Sequence, residues 1–315
     1  MGIYLGATAL GAGGGGAGGG YIPNIIGFEY LARSGGGAGG AHATYGGGGG
    51  GGGSLVHSFA YSYKGVTIPI IVGAGGSNAK GGDTIIGEEL LITTILGGGA
   101  GTYSTGLINN FGTCAGGQGS AGSGAVAARK GNGFTAKGKI IGVLDTDVVN
   151  ASIKNINDTT TPFTNGRNND FGGPGGAGLG GNAPDAPYNN GSIGGIGLDP
   201  TTITDRFLTQ AEYQAESIGE VTNSVAYIGG GGGGHRSSGR PNPPGGGAAD
   251  GTAGLANTGG GGGAGYDVGS GGSGFAMLRL PTSQSVTTVG VSNTYTKGND
   301  TVYVWKSTGS ITINS

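Results

Sequence analysis

Apolar positions along this chain come in short bursts, and almost every burst runs directly into glycine. Residues 25–33 (IIGFEYLAR) mix β-branched and aromatic side chains and predict a strand that enters the glycines around 35–40. Residues 55–63 (LVHSFAYSY) alternate in part, Lys64-Gly65 has turn composition, and 66–72 (VTIPIIV) returns, so a hairpin is expected there. Pro69 has no N–H, which places that second strand at an edge or at a bulge. Residues 83–96 predict one strand, or two with a turn near Gly87, and 139–149 and 224–228 predict one each. Residues 274–280 (GFAMLRL) form a strand stopped by Pro281, and 286–315 two or three more, strongest at 302–305 and 311–313. Residues 3–10 (IYLGATAL) suit an edge strand or an anchor onto another protein. The only helical pattern opens at Asp199-Pro200 and covers about 202–217, with Leu208, Ala211 and Ala215 inside and Gly219 beyond.

Between the strands lie the glycines, 84 of 315 residues, including eight in a row at 46–53 and shorter runs at 13–16, 229–234 and 259–263. Such runs stay flexible as linkers unless something holds them. Their regular alternation with apolar strands argues for a lattice of polyproline-II-type threads, with about three residues per turn and no hydrogen bonds within a thread. Each N–H and C=O then points sideways to a neighbouring thread, which the missing Cβ atoms allow to approach. Collagen is excluded, because prolines number only 11 and no G-X-Y repeat runs through the chain. The expected fold is mainly β: a β-sandwich alternating with a bundle of polyglycine-II helices, plus one short α-helix near 202–217. Residues 1–24 read as an N-terminal anchor segment, 25–281 as the glycine-rich domain, and 282–315 as a C-terminal strand segment.

Charged residues make up 10% of the chain and the formal net charge is −2, with no basic face for phosphate backbones, so nucleic acid is not an expected partner. One cysteine, Cys114, allows no internal disulfide. No apolar run approaches the ~20 residues of a membrane span, and the start lacks the charged and long apolar regions of a signal peptide. Synthesis in a cytoplasm without membrane insertion is therefore expected.

The pieces FEYLARSGGGAGG, the apolar stretch ending in VGAGG, and the closing GGSGFAMLRLP resemble the glycine-rich domain of bacteriophage tail-fibre and other virion proteins. VYVWKSTGSITI at 302–313 resembles a strand motif commonly placed beside that domain. The segment from the eight glycines through 76 is also similar to the glycine-rich domain of anaplastic-lymphoma-type receptor kinases, where polyglycine helices pack beside a tumour-necrosis-factor-like sandwich, and this resemblance implies a sandwich of that jelly-roll type here. The resemblance covers roughly 27–281; the insert at 145–220 departs from it. It implies a virion protein, a tail-fibre or adhesin component that contacts the host surface. The implied partners are other virion proteins and a host glycan or outer-membrane protein, with a homotrimer as the expected oligomer. The alternative is a structural capsid or tail decoration whose strands and residues 286–315 bind neighbouring subunits.

Catalytic and cofactor chemistry finds little support. GxGxxG occurs trivially in the tracts, and Gly133-x-x-x-x-Gly138-Lys139 continues with Ile140 where a phosphate-binding loop needs Ser or Thr. Residues 262–267 match a calcium-binding β-roll repeat only once. His42, His57 and His235 lie far apart, with no Cys or acid at ligand spacing, and Asp145 and Asp147 read as turn residues rather than a glycosidase pair. No enzyme, cofactor or metal is expected. Recognition is expected on loops fixed by a rigid scaffold. The candidates are Tyr103, Asn109, Asn110 and Phe111 in one loop, Tyr188, Asn189 and Asn190 in a second, and His235, Arg236 and Arg240 in a third.

Overall fold

The computed structural model describes residues 25–40, 47–87, 93–101, 116, 154–155, 175–176, 178–181, 183, 191, 193–235, 244–249 and 251–314. Among these, two antiparallel sheets face each other as a sandwich. The first has the order β11-β12-β9-β1-β2-β6, built from β1 (Ile25–Arg33), β2 (Leu55–Tyr63), β6 (Lys154–Asn155), β9 (Phe275–Pro281), β11 (Asn293–Lys297) and β12 (Asp300–Trp305). The second runs β10-β13-β3-β4-β5, from β3 (Thr67–Ile71), β4 (Thr84–Ile86), β5 (Thr93–Ile95), β10 (Val286–Val289) and β13 (Gly309–Ile313). A small pair, β7 (Glu220–Thr222) and β8 (Val225–Tyr227), turns on the left-handed residues Asn223 and Ser224, φ 51° and 64°.

The period-two pattern of β1 explains why its sheet is covered on both faces. Ile26, Phe28, Tyr30 and Ala32 point into the sandwich with Ile68, Ile70, Leu278, Trp305 and Ile311. On the opposite face, Leu31 packs with Phe275, Met277, Val302 and Val304 beneath Phe207, Leu208, Tyr213 and Ile218. The 198–228 segment is therefore a third layer. Its helix is shorter than expected. Asp199 caps a 3-10 turn at Pro200–Thr202, and α1 (Gln210–Ala215) starts only at Thr209, which forms a capping box with Glu212. It ends before Ser217, which is left-handed at φ 53°.

Two further expectations need correction. β2 and β3 do not pair as a hairpin: Lys64-Gly65 carries the chain from one sheet to the other. Gly65 sits at φ 76° and donates its N–H to the Ile313 carbonyl, 2.7 Å away. Pro69 lies within an interior strand, but its carbonyl faces Gly87 N–H (2.9 Å), beyond the last β3–β4 pair at Ile70↔Ile86. Its missing donor therefore costs neither ladder a bond. Residues 286–313 supply four strands, β10 to β13, all paired inside this chain, with β12 on β9 and β13 on β3. The strands expected at 3–10 and 139–149 lie outside the described residues.

Candidate functional site

At the end of the sandwich, strands become threads. β1 runs on into the thread 34–40, and 47–53 returns the chain to β2. The N–H donors of the first thread rotate through three neighbours in strict order. Gly35 bonds Gly82 (3.1 Å), Gly36 bonds Gly272 (2.9 Å) and Gly37 bonds Gly51 (2.9 Å); Ala38 then returns to Ala79, Gly39 to Gly269 and Gly40 to Gly48. Three residues per turn is the polyproline-II period, here with every bond made crosswise. The pattern repeats elsewhere: Gly230 and Gly233 carbonyls accept from Gly261 and Ala264, and Gly229 and Gly232 carbonyls from Leu179 and Gly176.

At most glycines of the lattice the spacing leaves no room for a Cβ. A Cβ on Gly37 would lie 2.1 Å from the Gly99 oxygen, one on Gly50 2.1 Å from the Gly37 oxygen, and one on Gly194 1.7 Å from the Gly231 oxygen. Sandwich and lattice are joined by buried polar groups. Arg33, fully buried, donates from Nε to the Thr258 carbonyl (2.5 Å) and from Nη2 to the Gly259 carbonyl (3.0 Å). Gly229 and Gly259 (φ +74° and +58°) wrap its guanidinium so closely that a Cβ on either would strike it at 2.2 Å. Beside it the Ser34 and Ser54 hydroxyls share the Leu96 carbonyl, and the Thr84 hydroxyl donates to the Arg33 carbonyl.

The threads bring one end of each candidate segment to one place. Gly101, where the chain leaves for 102–115, donates to the Ala38 carbonyl (2.8 Å), and a Cβ on it would meet the Gly48 oxygen at 1.8 Å. Its return, Gly116, lies against Ala100. His235, where the chain leaves for 236–243, donates its N–H to the Gly47 carbonyl (2.9 Å). Gly191, where 184–190 returns, lies against the His235 carbonyl. One end of each segment is therefore rooted around Gly47 and Gly48, at the end of the lattice farthest along the chain from β1 and β2; 236–243 returns elsewhere, at Pro244 and Gly245, whose carbonyls accept from the Gly197 and Gly230 N–H groups (both 2.7 Å). Tyr103, Asn109, Asn110, Phe111, Tyr188, Asn189, Asn190, Arg236 and Arg240 lie outside the described residues. His235 is 2% exposed with its ring edge-on to Tyr266, centroids 5.3 Å apart. A side chain so covered presents almost no surface to a partner, so in this structure His235 packs and does not stand out as a contact.

A second polar constellation sits under the 198–228 layer. The buried Glu29 carboxylate accepts from His57 Nε2 (2.7 Å), Arg206 Nη1 (3.1 Å) and Arg279 Nη1 (2.7 Å), and Arg279 also reaches Asp300. Burial alone would raise the Glu29 carboxyl, but the hydrogen bonds from His57 and Arg279 and the charge of Arg206 outweigh it and hold it below the ordinary carboxylate range. Glu216 similarly ties the layer to β11 and to the chain beyond β12, accepting from Tyr295 (2.6 Å), Asn293 (2.8 Å) and Lys306 (3.0 Å). Every one of these carboxylates is consumed by partners within the chain, so the network acts as a clamp. Sequence reading missed it because its members come from β1, β2, β9, β12 and the insert, with bonded partners up to 250 residues apart. Among the described residues no group of three His, Cys, Asp or Glu is placed to hold a metal ion, and no helix is long and apolar enough to cross a membrane.

A family model described as a glycine-rich domain matches residues 22–281. Comparison with curated proteins and with solved structures found no match.

Proposed function

Because this chain belongs to the glycine-rich domain family, we propose that it is a phage virion protein, a tail-fibre or adhesin component whose loops touch the host cell surface. The observation that supports the reading is that 102–115, 184–190 and 236–243 each have one end rooted around Gly47 and Gly48. A crosswise-bonded lattice fixes where each segment leaves and returns while placing little demand on the sequence between. Segments held at their roots lose less entropy on binding than free ones. Tyr and Asn, which these segments carry at Tyr103, Asn109, Asn110, Tyr188, Asn189 and Asn190, offer ring faces and amide hydrogen bonds, while Phe111, Arg236 and Arg240 add an apolar face and charge. The resemblance of FEYLARSGGGAGG and GGSGFAMLRLP to phage virion domains gives the setting. The rival decoration reading expected 286–315 to bind neighbouring subunits; those strands pair within this chain, with β10 and β11 as the outermost strands of their sheets.

The test is saturable attachment of the purified chain to isolated host envelope. Replacing the three rooted segments with short Gly-Ser connectors should abolish attachment while leaving the urea unfolding midpoint unchanged. Attachment that survives all three replacements refutes the reading.

A further inference from the structure

One sheet face is left partly bare by the 198–228 layer, and the bare part is aromatic. On β2, Leu55 and His57 are covered, with Phe207 edge-on to the His57 ring at 5.8 Å. Two residues further the cover stops, and Phe59, Tyr61 and Tyr63 stand exposed at 43%, 45% and 55% on the same face. They occupy positions i, i+2 and i+4, so the row spans roughly 13 Å at ~3.3 Å per residue. The Tyr61 ring lies across Gly27 of β1, whose Cβ would sit 3.1 Å from Tyr61 Cε1. Main chain therefore backs one side of that ring and the other faces outward. Hydrogen-bonding groups stand at both ends. Arg206, itself exposed, reaches the Glu29 that lies opposite Phe59, and the exposed Lys64 follows Tyr63.

The area of the row selects the class of ligand. At about 150–250 Å² per aromatic side chain, three half-exposed rings present roughly 300 Å². A stable protein interface buries ~800 Å² on each partner. The row is too small for a folded partner but matches a few sugar units. Each pyranose ring offers an apolar C–H face to an aromatic ring and a belt of hydroxyls to polar groups at the margin. From this geometry we infer that Phe59, Tyr61 and Tyr63 form a ledge that binds an unbranched oligosaccharide laid along β2. The inference rests on the attachment reading only for the source of the sugar, a glycan of the host envelope.

The test has two arms. In the first, the purified full chain is titrated with maltohexaose and with cellohexaose and followed by saturation-transfer NMR. At least one should bind, with Tyr61→Ala and Tyr63→Ala each weakening it by roughly three- to tenfold, the range for one aromatic contact. Their side chains are half outside the core, so the unfolding midpoint should hold; light scattering reports the oligomer. Absence of binding by both sugars, or binding indifferent to both substitutions, overturns the ledge. Dissociation of an oligomer in the substituted chains also overturns it and makes the row a contact with a second copy.

In the second arm, attachment to isolated envelope is measured after periodate oxidation, which destroys sugars, and after proteinase treatment, which spares them. Periodate should remove attachment and proteinase should leave it. If the Tyr61→Ala/Tyr63→Ala chain attaches normally, the host glycan is refuted as the source of the ledge's sugar while the attachment reading stands. If sugar binds in solution and envelope does not, the ledge stands and the attachment reading fails.

Discussion

Replacing Gly37 by alanine tests the lattice at a point where the cost is calculable. The new Cβ would sit 2.1 Å from the Gly99 oxygen, against 3.4 Å for ordinary contact, so the threads 34–40 and 97–101 must part by about 1 Å. Two buried bonds join those threads, Gly98 N–H to the Gly35 carbonyl (2.9 Å) and Gly101 N–H to the Ala38 carbonyl (2.8 Å). Leaving their groups unsatisfied costs roughly 1–3 kcal/mol apiece. Alanine recovers only about 0.4–1 kcal/mol by restricting the unfolded chain. The net loss, on the order of 2–5 kcal/mol, is a large part of the ~5–15 kcal/mol of a folded domain. Gly181→Ala is the matched control, since its Cβ would meet only the Ile196 Cγ2 methyl, at 3.2 Å. Urea unfolding followed by circular dichroism should show the Gly37→Ala midpoint fall by on the order of 1 M, with Gly181→Ala nearly unchanged. Equal midpoints for the two chains would refute the reasoning, because glycine would then serve flexibility and not close approach.

Arg33→Met should destabilise by several kcal/mol, read by the same urea unfolding, because two carbonyls lose charged donors of roughly 1.5–3 kcal/mol each. Glu29, Glu212 and Glu216 all have lowered folded-state pKa values. Their contribution is present above the ordinary carboxylate value of about 4.3 and is lost as pH falls through the folded values. Unfolding free energy should therefore drop below about pH 4, and Glu29→Gln should lessen that dependence. Glu216→Ala removes the acceptor shared by Tyr295, Asn293 and Lys306; amide exchange over 210–228 should quicken while exchange in β1 and β9 is unchanged.

Local pattern was enough to place β1 and β2 at their observed bounds, because alternating apolar side chains at 25–33 and 55–63 specify strand directly. It did not specify partners. Lys64-Gly65 has the composition of a hairpin turn whether the next strand folds back or crosses to the other sheet, and β13, more than 230 residues away, decides the matter. The helix was overextended because Asp199-Pro200 and Thr209 are both competent starts, and only packing of Phe207 and Leu208 onto Met277 and Val302 separates them. Polyglycine threads were legible from composition, yet their order was not. Gly37 bonds Gly51 and Gly262 with no side chain to mark either choice. The convergence of one end of each of three segments on Gly47 and Gly48 was therefore invisible in the sequence, as was the burial of His235. The aromatic row did leave a trace in FAYSY, where alternation continues past the point at which the insert covers the sheet.

Amide hydrogen exchange resolved at single glycines tests most directly whether main chain bonded crosswise replaces a side-chain core. Gly36, Gly37, Gly50, Gly51 and Gly262 donate buried bonds of 2.8–2.9 Å, so each should exchange as slowly as Tyr30 and Leu31 in β1 and open only with global unfolding. Exchange of those five amides at the rate of an unfolded glycine peptide, with β1 still protected, would contradict the account.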